Sequence, residues 1–427
     1  MSRRLRAGDL GRAVVLGVLA LNLVLWLVAP PINDGRPDFT RQVFSEFLAA
    51  TTVLCFTVCL VLATRWRVLE PWFGGLDRMY RVHREAAVVG FVLLVAHVAL
   101  VPWRLDSPGG TPSGLIAFAG ILVLVLLSIG PRLPVLRRVM ALSYHRWRWT
   151  HRYIGFFFIV SLAHMLLVDA AVHSASAPFA LLMTAYVVGA VAFAYSMLLA
   201  RFMRPRRRYV VEGVRPVATG VVEVALRARK AGRAPLGAVR VCPVRAARVA
   251  RTTPVHHFQR PGWVNSAVDD QGTRRLHRSA RRHAATGTAA VVEGGYGLFD
   301  YRTGAARQVW VAGGIGVTPF LAWLRDEPET VPREIALFCV VRLREDALFA
   351  DELHTAHERH PGLSIHLHVS SESGTFTVDR IAEKTGGLDR CEVYLCGPRP
   401  MVDALERGFR QHGVDRTAIH FEEFAFR

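Results

Sequence analysis

The sequence predicts a multidomain membrane protein, in which an all-α bundle of six membrane-spanning helices precedes a soluble half of β-strands and an α/β domain. Two observations carry this prediction. The 427-residue chain is 52% hydrophobic, and its apolar residues come in blocks of about 20, the length that a helix needs to cross a bilayer. Past residue 208 these blocks give way to short β-like runs and to strand–glycine–helix patterns.

Six apolar stretches are long enough to span a bilayer. They cover residues 11–29, 43–64, 85–103, 113–131, 153–172 and 177–200. No small-residue cleavage site follows the first stretch, so we expect it to be a retained helix and not a signal peptide.

The distribution of arginine predicts the orientation of these spans. Basic residues outnumber acidic ones by 53 to 34, a net charge of +19. The N-terminal segment and the segments after spans two, four and six hold 20 arginines, against 3 in the opposite loops. Since positively charged loops stay in the cytoplasm, the chain is predicted to be a multi-pass protein of the plasma membrane with both termini cytoplasmic.

The same observations exclude several classes of function. The net charge is explained by membrane topology, so nucleic-acid binding is not expected. The six cysteines include no C-x-x-C pair, which argues against a zinc finger and against a disulfide framework.

Four histidines lie in two of the predicted spans at two matched depths. His83 and His151 are at the cytoplasmic edges of spans three and five. His97 and His164 follow 14 and 13 residues later, which is about 20 Å along a helix axis. Two histidines at each of two depths could ligate two stacked haems. The alternative is that the first pair belongs to the basic interfacial belt and the second pair to the hydrogen-bonded core.

The spacing in span five predicts an irregularity. At ~100° per residue, 14 residues nearly close four turns, whereas 13 residues fall about 140° short. We therefore expect a bulge in span five, or a different orientation of its histidine rings. His145 and His173 lie in flanking loops and have no assigned role.

Three strand-then-glycine elements mark the soluble half. G-G-I-G-V-T-P follows the strand-like run Val309–Ala312 and opens a helix. A glycine turn that feeds a helix N-terminus can cradle a nucleotide pyrophosphate, although such turns also serve ordinary strand–helix connections. The other two elements are V-Y-L-C-G-P-R-P-M from Val393 and V-V-E-G-G-Y-G from Val291. Ligands gather at the carboxyl ends of strands in an open α/β sheet, so these turns are candidate binding elements.

The ordered set of six spans with spaced histidines, G-G-Y-G, G-G-I-G-V-T-P, C-G-P-R-P-M and a terminal E-E-F-A-F resembles the ferric reductase and NADPH oxidase superfamily. The resemblance covers almost the whole chain. It implies a haem domain over residues 1–208, an FAD-binding antiparallel β-barrel over 209–303 and a ferredoxin-reductase-like NAD(P)-binding α/β domain over 304–427. It also implies FAD, two b-type haems and NADPH or NADH as cofactors.

The resemblance assigns the metal ligands by depth. His83 and His151 would hold the inner haem. His97 and His164 would hold the outer haem.

The resemblance also assigns the residues of the soluble half. Cys396 would lie near the nicotinamide and Phe426 against the flavin ring, both at the reacting centre. Arg342 would read the 2′-phosphate of NADPH, with a solvated strand end as the alternative. The residues that would bind the nucleotide cofactors are Gly294, Gly295, Tyr296, Gly297, Gly313, Gly314, Gly316, Thr318, Pro319, Arg342, Gly397 and Pro398.

One segment departs from the superfamily pattern. Its flavin domain carries a G-Q-F strand and an H-P-F-[ST] motif, and neither occurs here. Residues 237–262 instead hold five arginines, no acid and no strand alternation. With Thr253 where the motif's histidine would stand, the chain as written is expected to lose core strands of the barrel and its flavin.

A shift of reading frame would account for this segment. All but two of the 53 basic residues are arginine, which with abundant alanine and glycine indicates a GC-rich gene. When the codons of residues 237–244 are read one base later, they permit G-Q-F-A-F-V-R-F. Those of residues 248–261 permit G-W-R-E-P-H-P-F-T-I-S-S-A-P. We therefore expect roughly 237–270 to be frameshifted, and an arginine-rich solvated insertion is the alternative.

The function that the resemblance implies is transmembrane electron transfer. Electrons from cytoplasmic NAD(P)H would pass through FAD and two haems to a ferric chelate or O₂ across the bilayer, and the sequence does not identify protein partners. One alternative is a haem-only cytochrome with a defective flavin domain, fed by a partner. Another is a transporter-like or scaffolding membrane protein whose histidines are incidental.

Overall fold

The computed structural model describes residues 7–103, 109–130, 144–203, 206–218, 221–228, 239–246, 249–257, 263–267, 287–296, 299–326 and 333–423. The chain divides into two compact units, Met1–Arg204 and Pro205–Arg427. The predicted boundaries at 208/209 and 303/304 remain predictions.

The N-terminal unit is all-helical. Its helices are α1 (Ala7–Val28), α2 (Phe39–Ala63), α3 (Glu70–Phe73), α4 (Leu76–Leu100), α5 (Gly110–Ile129), α6 (Tyr144–His151), α7 (Ile154–Leu167), α8 (Ser176–Ala194) and α9 (Ala200–Met203). The described residues include six helical segments that are long and apolar enough to cross a membrane, the fifth made of α6 and α7 together. The prediction of six apolar helices is confirmed, and their insertion in a bilayer remains a prediction.

Helix α2 lies at the centre of this unit. Of its apolar window 56% is buried, against 17–33% for the other five segments. Those helices direct large apolar side chains outward, and Leu27, Val28 and Val191 are 72%, 77% and 64% exposed. An apolar stripe on the outside of a bundle is what a hydrocarbon solvent requires.

The fifth segment is interrupted at the place that the histidine spacing predicts. Helix α6 ends at His151 and α7 begins at Ile154. The Tyr153 amide donates to the Thr150 carbonyl at 3.0 Å, a tight i→i+3 bond. Such turns rotate by ~120° per residue and not ~100°, so they add rotation between the two histidines of this segment.

The C-terminal unit begins with antiparallel strands. They are β1 (Arg206–Ala218), β2 (Val221–Ala228), β3 (Val239–Ala246), β4 (Val249–His257), β5 (Trp263–Ala267) and β6 (Ala289–Tyr296). The strands pair in the order β1-β2-β5-β4-β3-β6, and β6 also pairs with β1, so the pairing order closes on itself.

Strands β3, β4 and β5 lie within the segment suspected of a frameshift. Thr253 and Pro254 are in β4, where they pair with Cys242 and Val241 of β3. The expectation that this segment lacks strands is therefore wrong for these three stretches. Backbone pairing requires neither alternation nor apolar side chains, which is why an arginine-rich sequence can adopt it.

A parallel α/β sheet completes the C-terminal unit. Its strands are β7 (Arg307–Gly313), β8 (Glu334–Val341), β9 (Leu363–Val369), β10 (Glu392–Gly397) and β11 (Ile419–Glu423). Its helices are α10 (Thr318–Asp326), α11 (Ala350–Arg359), α12 (Ser370–Ser373), α13 (Val378–Thr385) and α14 (Arg399–Gln411). The strand order is β11-β10-β7-β8-β9, and every pairing is parallel. Helices cover both faces, and the prediction of a C-terminal α/β domain is confirmed.

An aromatic cluster and a buried carboxylate join the two sheets of this unit. Phe299 and Tyr301, just beyond β6, pack against Trp323 of α10 at centroid distances of 4.8 and 5.0 Å. Glu223 of β2 is 2% exposed and lies 3.8 Å from Arg325 of α10. These contacts fix the antiparallel sheet against the face of the α/β domain that carries α10.

Candidate functional site

The first glycine turn joins β7 to α10. Strand β7 ends at Gly313, and Gly314 has a φ of +54°, a left-handed conformation that glycine adopts without strain. A short 3₁₀ turn, Gly314–Val317, then leads into α10. The Thr318 hydroxyl donates to the Ile315 carbonyl at 3.0 Å, which closes the turn. The free amides of the helix start are the groups that this turn offers to an anion.

The second turn, at the end of β10, touches the first. Strands β7 and β10 are neighbours, with Ala312 opposite Cys396. A Cβ at Gly316 would lie 2.0 Å from the Cys396 carbonyl oxygen, and one at Gly397 would lie 3.0 Å from the Gly313 Cα. The structure therefore brings Gly313, Gly314, Gly316, Cys396, Gly397 and Pro398 together at one sheet edge, and only glycine fits where the two backbones meet.

The side chains of this edge are largely covered. Thr318 is 1% exposed and Pro319 is buried. Cys396 is fully buried, within the same core as Trp310 and Tyr394. Its sulfur would therefore meet a nicotinamide only after neighbouring groups move, and the predicted roles of these residues remain predictions.

Arg342 follows β8 at the same sheet edge. Its side chain is exposed, and its carbonyl accepts from the Ser371 amide at 3.1 Å. Arg344 pairs with Glu372 at 2.8 Å, whereas Arg342 makes no ion pair with any residue described. Arg342 is thus available to a phosphate, as its predicted role requires.

A cavity of about 360 Å³ lies beside this edge, beneath α11. Gly314, Cys339, Leu348, His354 and His357 are among its lining residues. Burial raises the pKa of the Cys339 thiol to about 12, so the thiol is neutral at ordinary pH.

The remaining residues predicted to bind the nucleotide cofactors or to contact the flavin fall, in the sequence, in or near β6 and near the end of the chain. Gly294 pairs with Arg240, and Tyr296 with Val239, across a register shift between β6 and β3. Gly295 lies between them in β6. Strand β11 ends at Glu423, opposite Gly397. Gly297 and Phe426 fall outside the residues that the structure describes.

In the helical unit, His83 of α4 faces His151 at the end of α6. Their ring centroids are 6.3 Å apart. An imidazole nitrogen lies about 2.0 Å from a metal that it ligates, so two rings that hold one ion between them have centroids ~6 Å apart. The centroid distance therefore agrees with two histidines that would together hold one metal ion, such as the iron of a haem.

The Nδ1 atoms of this pair are bonded to protein oxygens. His83 Nδ1 lies 3.0 Å from the Cys59 carbonyl, which can only accept. His151 Nδ1 lies 3.3 Å from Ser128 Oγ, whose own hydrogen goes to the Leu124 carbonyl. Both rings thus carry the proton on Nδ1 and keep the Nε2 lone pair for a metal.

In the deeper pair, His97 and His164, each Nδ1 atom also lies close to a protein oxygen. His97 Nδ1 lies 3.0 Å from the Ser45 carbonyl, and His164 Nδ1 lies 2.7 Å from the Gly110 carbonyl. A Cβ at Gly114 would lie 2.7 Å from His164 Nδ1, so this glycine makes room for the ring. Within the described ranges no group of three or more His, Cys, Asp or Glu could hold a metal ion.

His173 differs from the four. Its Nε2 lies 3.1 Å from the Met165 carbonyl, and its ring packs on Phe179 at 5.5 Å. Both contacts are structural, in agreement with the absence of an assigned role. The side chain of His145 is outside the described part of the chain.

Several supporting residues were not predicted from the sequence. Ser45 and Cys59 on α2, and Gly110, Gly114 and Ser128 on α5, contact the four histidines. A regular spacing of small and polar residues on α2 and α5 was the signal that could have found them.

Part of the C-terminal unit is similar in sequence to known oxidoreductases. Residues 310–407 match the family model of the oxidoreductase NAD-binding domain. The chain is 33% identical over 129 residues to a carnitine monooxygenase reductase subunit of Acinetobacter pittii, covering 30% of this chain and 40% of that protein. It is 29% identical over 157 residues to the reductase component of propane 2-monooxygenase of Rhodococcus jostii, covering 33% and 41%. The chain thus spans about two fifths of the length of these curated relatives.

A solved flavohemoglobin of Malassezia yamatoensis, with bound FAD and haem, has a similar fold. The TM-score is 0.51 at 14% identity, over 95% of this chain and 99% of the other. At this identity the likeness concerns fold alone. The family match over residues 310–407 supports the prediction of an NAD(P)-binding domain in this part of the chain.

Proposed function

We propose that the protein is a transmembrane oxidoreductase, which passes electrons from cytoplasmic NAD(P)H through FAD and two b-type haems to a ferric chelate or O₂ across the membrane. The observation that carries the proposal is the arrangement of the four histidines. His83 and His151 face each other at 6.3 Å, and all four rings present Nε2 because Nδ1 donates to a protein oxygen.

The helical unit supports the membrane location. Six apolar helices expose large apolar side chains, and a lipid solvent would bury these at no cost. The arginine-rich segments would face the cytoplasm with both termini, which puts the NAD-binding domain on the side where NAD(P)H is available.

The C-terminal unit supports the electron donor. Its α/β domain belongs with NAD-binding oxidoreductase domains, and the named relatives are reductase components of monooxygenases. A flavin is needed between donor and haem, because it accepts a hydride and releases single electrons. We infer NADPH as the donor in preference to NADH, because the exposed Arg342 would offer its guanidinium to a 2′-phosphate.

The four histidines would hold the haems as neutral ligands. Donation from Nδ1 to a fixed oxygen sets the tautomer, holds the ring plane and makes Nε2 more basic. A bis-histidine haem supplies one-electron transfer and leaves no open position on iron. These residues would therefore favour electron transfer over ligand binding at the iron.

The alternative is a haem-only cytochrome fed by a partner. It follows if residues 237–270 are translated as written, because the motif that would hold FAD is then absent. Resequencing the codons from Leu236 to Thr273 separates the two cases. A compensated pair of indels restores G-Q-F and H-P-F-T and makes the natural protein a complete flavocytochrome.

Absorption spectroscopy of the purified full chain in detergent tests the proposal. We expect two b-type haems per chain. NADPH should reduce them in the chain whose reading frame is restored over residues 237–270, because that chain would bind FAD. His97→Ala should remove one haem and leave the other, whereas His173→Ala, the matched control, should retain both. Wild-type protein without haem would overturn the proposal and favour a transporter-like or scaffolding role. Haem that NADPH cannot reduce would favour the haem-only cytochrome.

A further inference from the structure

Three hydroxyl or thiol side chains on α2 bond to α4 at regular intervals. Ser45, Thr52 and Cys59 follow one another every seven residues and are 0%, 3% and 8% exposed. Seven residues are nearly two turns, so all three lie on one face of α2. Their partners on α4 also recur every seven residues, in the opposite direction: His97, Gly90 and His83.

We call this series of three interhelical bonds the ladder and each bond a rung. In the outer rung Ser45 and His97 bond to each other in both directions, an arrangement that we call a clamp. Ser45 Oγ donates to the His97 carbonyl at 3.1 Å, and the Ser45 carbonyl accepts from His97 Nδ1 at 3.0 Å. Ser45 Oγ also lies 2.9 Å from His97 Nδ1. The imidazole hydrogen is therefore shared between two oxygens of one residue.

The inner rung repeats the clamp with sulfur. Cys59 Sγ donates to the His83 carbonyl at 3.3 Å, and the Cys59 carbonyl accepts from His83 Nδ1 at 3.0 Å. The Cys59 sulfur makes no described contact with Nδ1. His83 thus has one acceptor where His97 has two.

The middle rung carries no histidine. Thr52 Oγ1 donates to the Gly90 carbonyl at 3.2 Å. A Cβ at Gly90 would lie 2.9 Å from Cys55 Cβ and from Phe56, so the two helices are in close contact here. The close contact at Gly90 holds the two helices together between the two clamps.

We propose that Ser45 and Cys59 are positioning residues for His97 and His83, and that serine in one clamp and cysteine in the other makes the two iron sites unequal. The proposal rests on the haem ligation proposed above. A stronger hydrogen bond at Nδ1 gives a ligand more negative charge, which favours ferric iron. The hydrogen on His97 Nδ1 has two acceptors, so His97 would give its haem a lower reduction potential than a histidine held by a cysteine clamp would give.

Potentiometric titration of the full-length protein, followed at the haem absorption bands, tests this assignment. Ser45→Cys should raise the midpoint potential of one haem by up to ~59 mV. For one electron this shift corresponds to a tenfold change in the equilibrium constant for reduction. Cys59→Ser should lower the potential of the other haem. Thr52→Val is the matched control, because it removes the same kind of interhelical bond without touching a histidine, and both potentials should stay unchanged.

Each outcome decides the question. If Ser45→Cys leaves both potentials unchanged, or Thr52→Val shifts them equally, the clamp has no specific role and the proposal is wrong. Loss of haem in Ser45→Ala but not in Thr52→Val supports positioning, whereas loss in both indicates general helix packing and contradicts it. Wild-type protein without haem overturns the proposed function itself, an outcome distinct from unshifted potentials in a haem-loaded protein.

Discussion

At the scale of single residues, the glycines of the nucleotide edge are explained by backbone contact before any ligand is considered. Gly316 lies so close to the Cys396 carbonyl that no side chain fits. Gly314 supplies the left-handed turn, and Gly397 packs on Gly313. The sequence pattern indicated a phosphate cradle, and the same residues also hold two strand ends together.

Replacement of Gly316 tests this explanation. Gly316→Ala places a Cβ 2.0 Å from the Cys396 carbonyl oxygen, so the two turns must separate. We expect this to lower the free energy of unfolding by about 1–3 kcal/mol. We expect a lower thermal unfolding temperature and weaker NADPH binding, measured by differential scanning fluorimetry and isothermal titration. Gly213→Ala in β1 is the control, because nothing lies within 4 Å of its added Cβ. Equal stability of the two variants would contradict the explanation.

The thiol of Cys339 gives a pH prediction. Burial raises its pKa from about 9 to about 12, so the folded protein keeps the thiol neutral over a range where the unfolded chain ionises. Stability is therefore retained below pH 9 and falls as the pH rises from about 9 to about 12. We expect slow iodoacetamide labelling of Cys339 at pH 8 in the folded protein and fast labelling in urea, read by mass spectrometry. Fast labelling without urea would show that the cavity admits the reagent.

At the scale of elements, three helices carry the four histidines proposed as ligands, and two further helices orient them. His83 and His97 lie on α4 and are held by α2, while the histidines of α6 and α7 are held by α5. The break between α6 and α7 adds rotation between His151 and His164, in the direction that a 13-residue spacing requires. The pairing of a ligand helix with a supporting helix therefore extends over both depths.

Gly114 of α5 tests the role of the supporting helices. Gly114→Ala puts a Cβ 2.7 Å from His164 Nδ1, so the ring must move away from the Gly110 carbonyl that orients it. We expect one of the two haems to be lost, measured as the ratio of haem to protein. Gly17→Ala in α1 is the control, with open space around its added Cβ. Two haems in Gly114→Ala would show that α7 can shift and that α5 does not fix the ring.

The sequence pointed to four histidines, whose role as ligands remains a prediction, but not to the groups that orient them. A 14-residue spacing within one helix is visible along the chain, and so is the irregularity that a 13-residue spacing requires. The bond between Cys59 and His83 depends on how two helices are rotated and shifted against each other, which one sequence does not determine. For the same reason the contact of Gly316 with Cys396 was visible only once β7 and β10 were known to be neighbours.

At the scale of the whole molecule, two compact units divide the proposed chemistry. The helical unit contains the four histidines proposed as haem ligands, and the C-terminal unit contains the residues that match the oxidoreductase NAD-binding family model. Neither unit alone would connect a hydride donor to an acceptor across a membrane. The flavin is the link, and its expected motif falls in β4, where Thr253 and Pro254 now stand.

Restoration of the reading frame tests that link. Replacing residues 237–244 by G-Q-F-A-F-V-R-F and 248–261 by G-W-R-E-P-H-P-F-T-I-S-S-A-P returns apolar and aromatic residues to β3 and β4, where packing needs them. We expect the restored chain to bind FAD and to transfer electrons from NADPH to haem, while the chain as written retains haem but lacks both properties. Flavin fluorescence after denaturation and the haem absorption bands measure the two properties separately. Equal FAD content in both chains would contradict the frameshift hypothesis, because strands β3, β4 and β5 would then form a working flavin site with their present side chains.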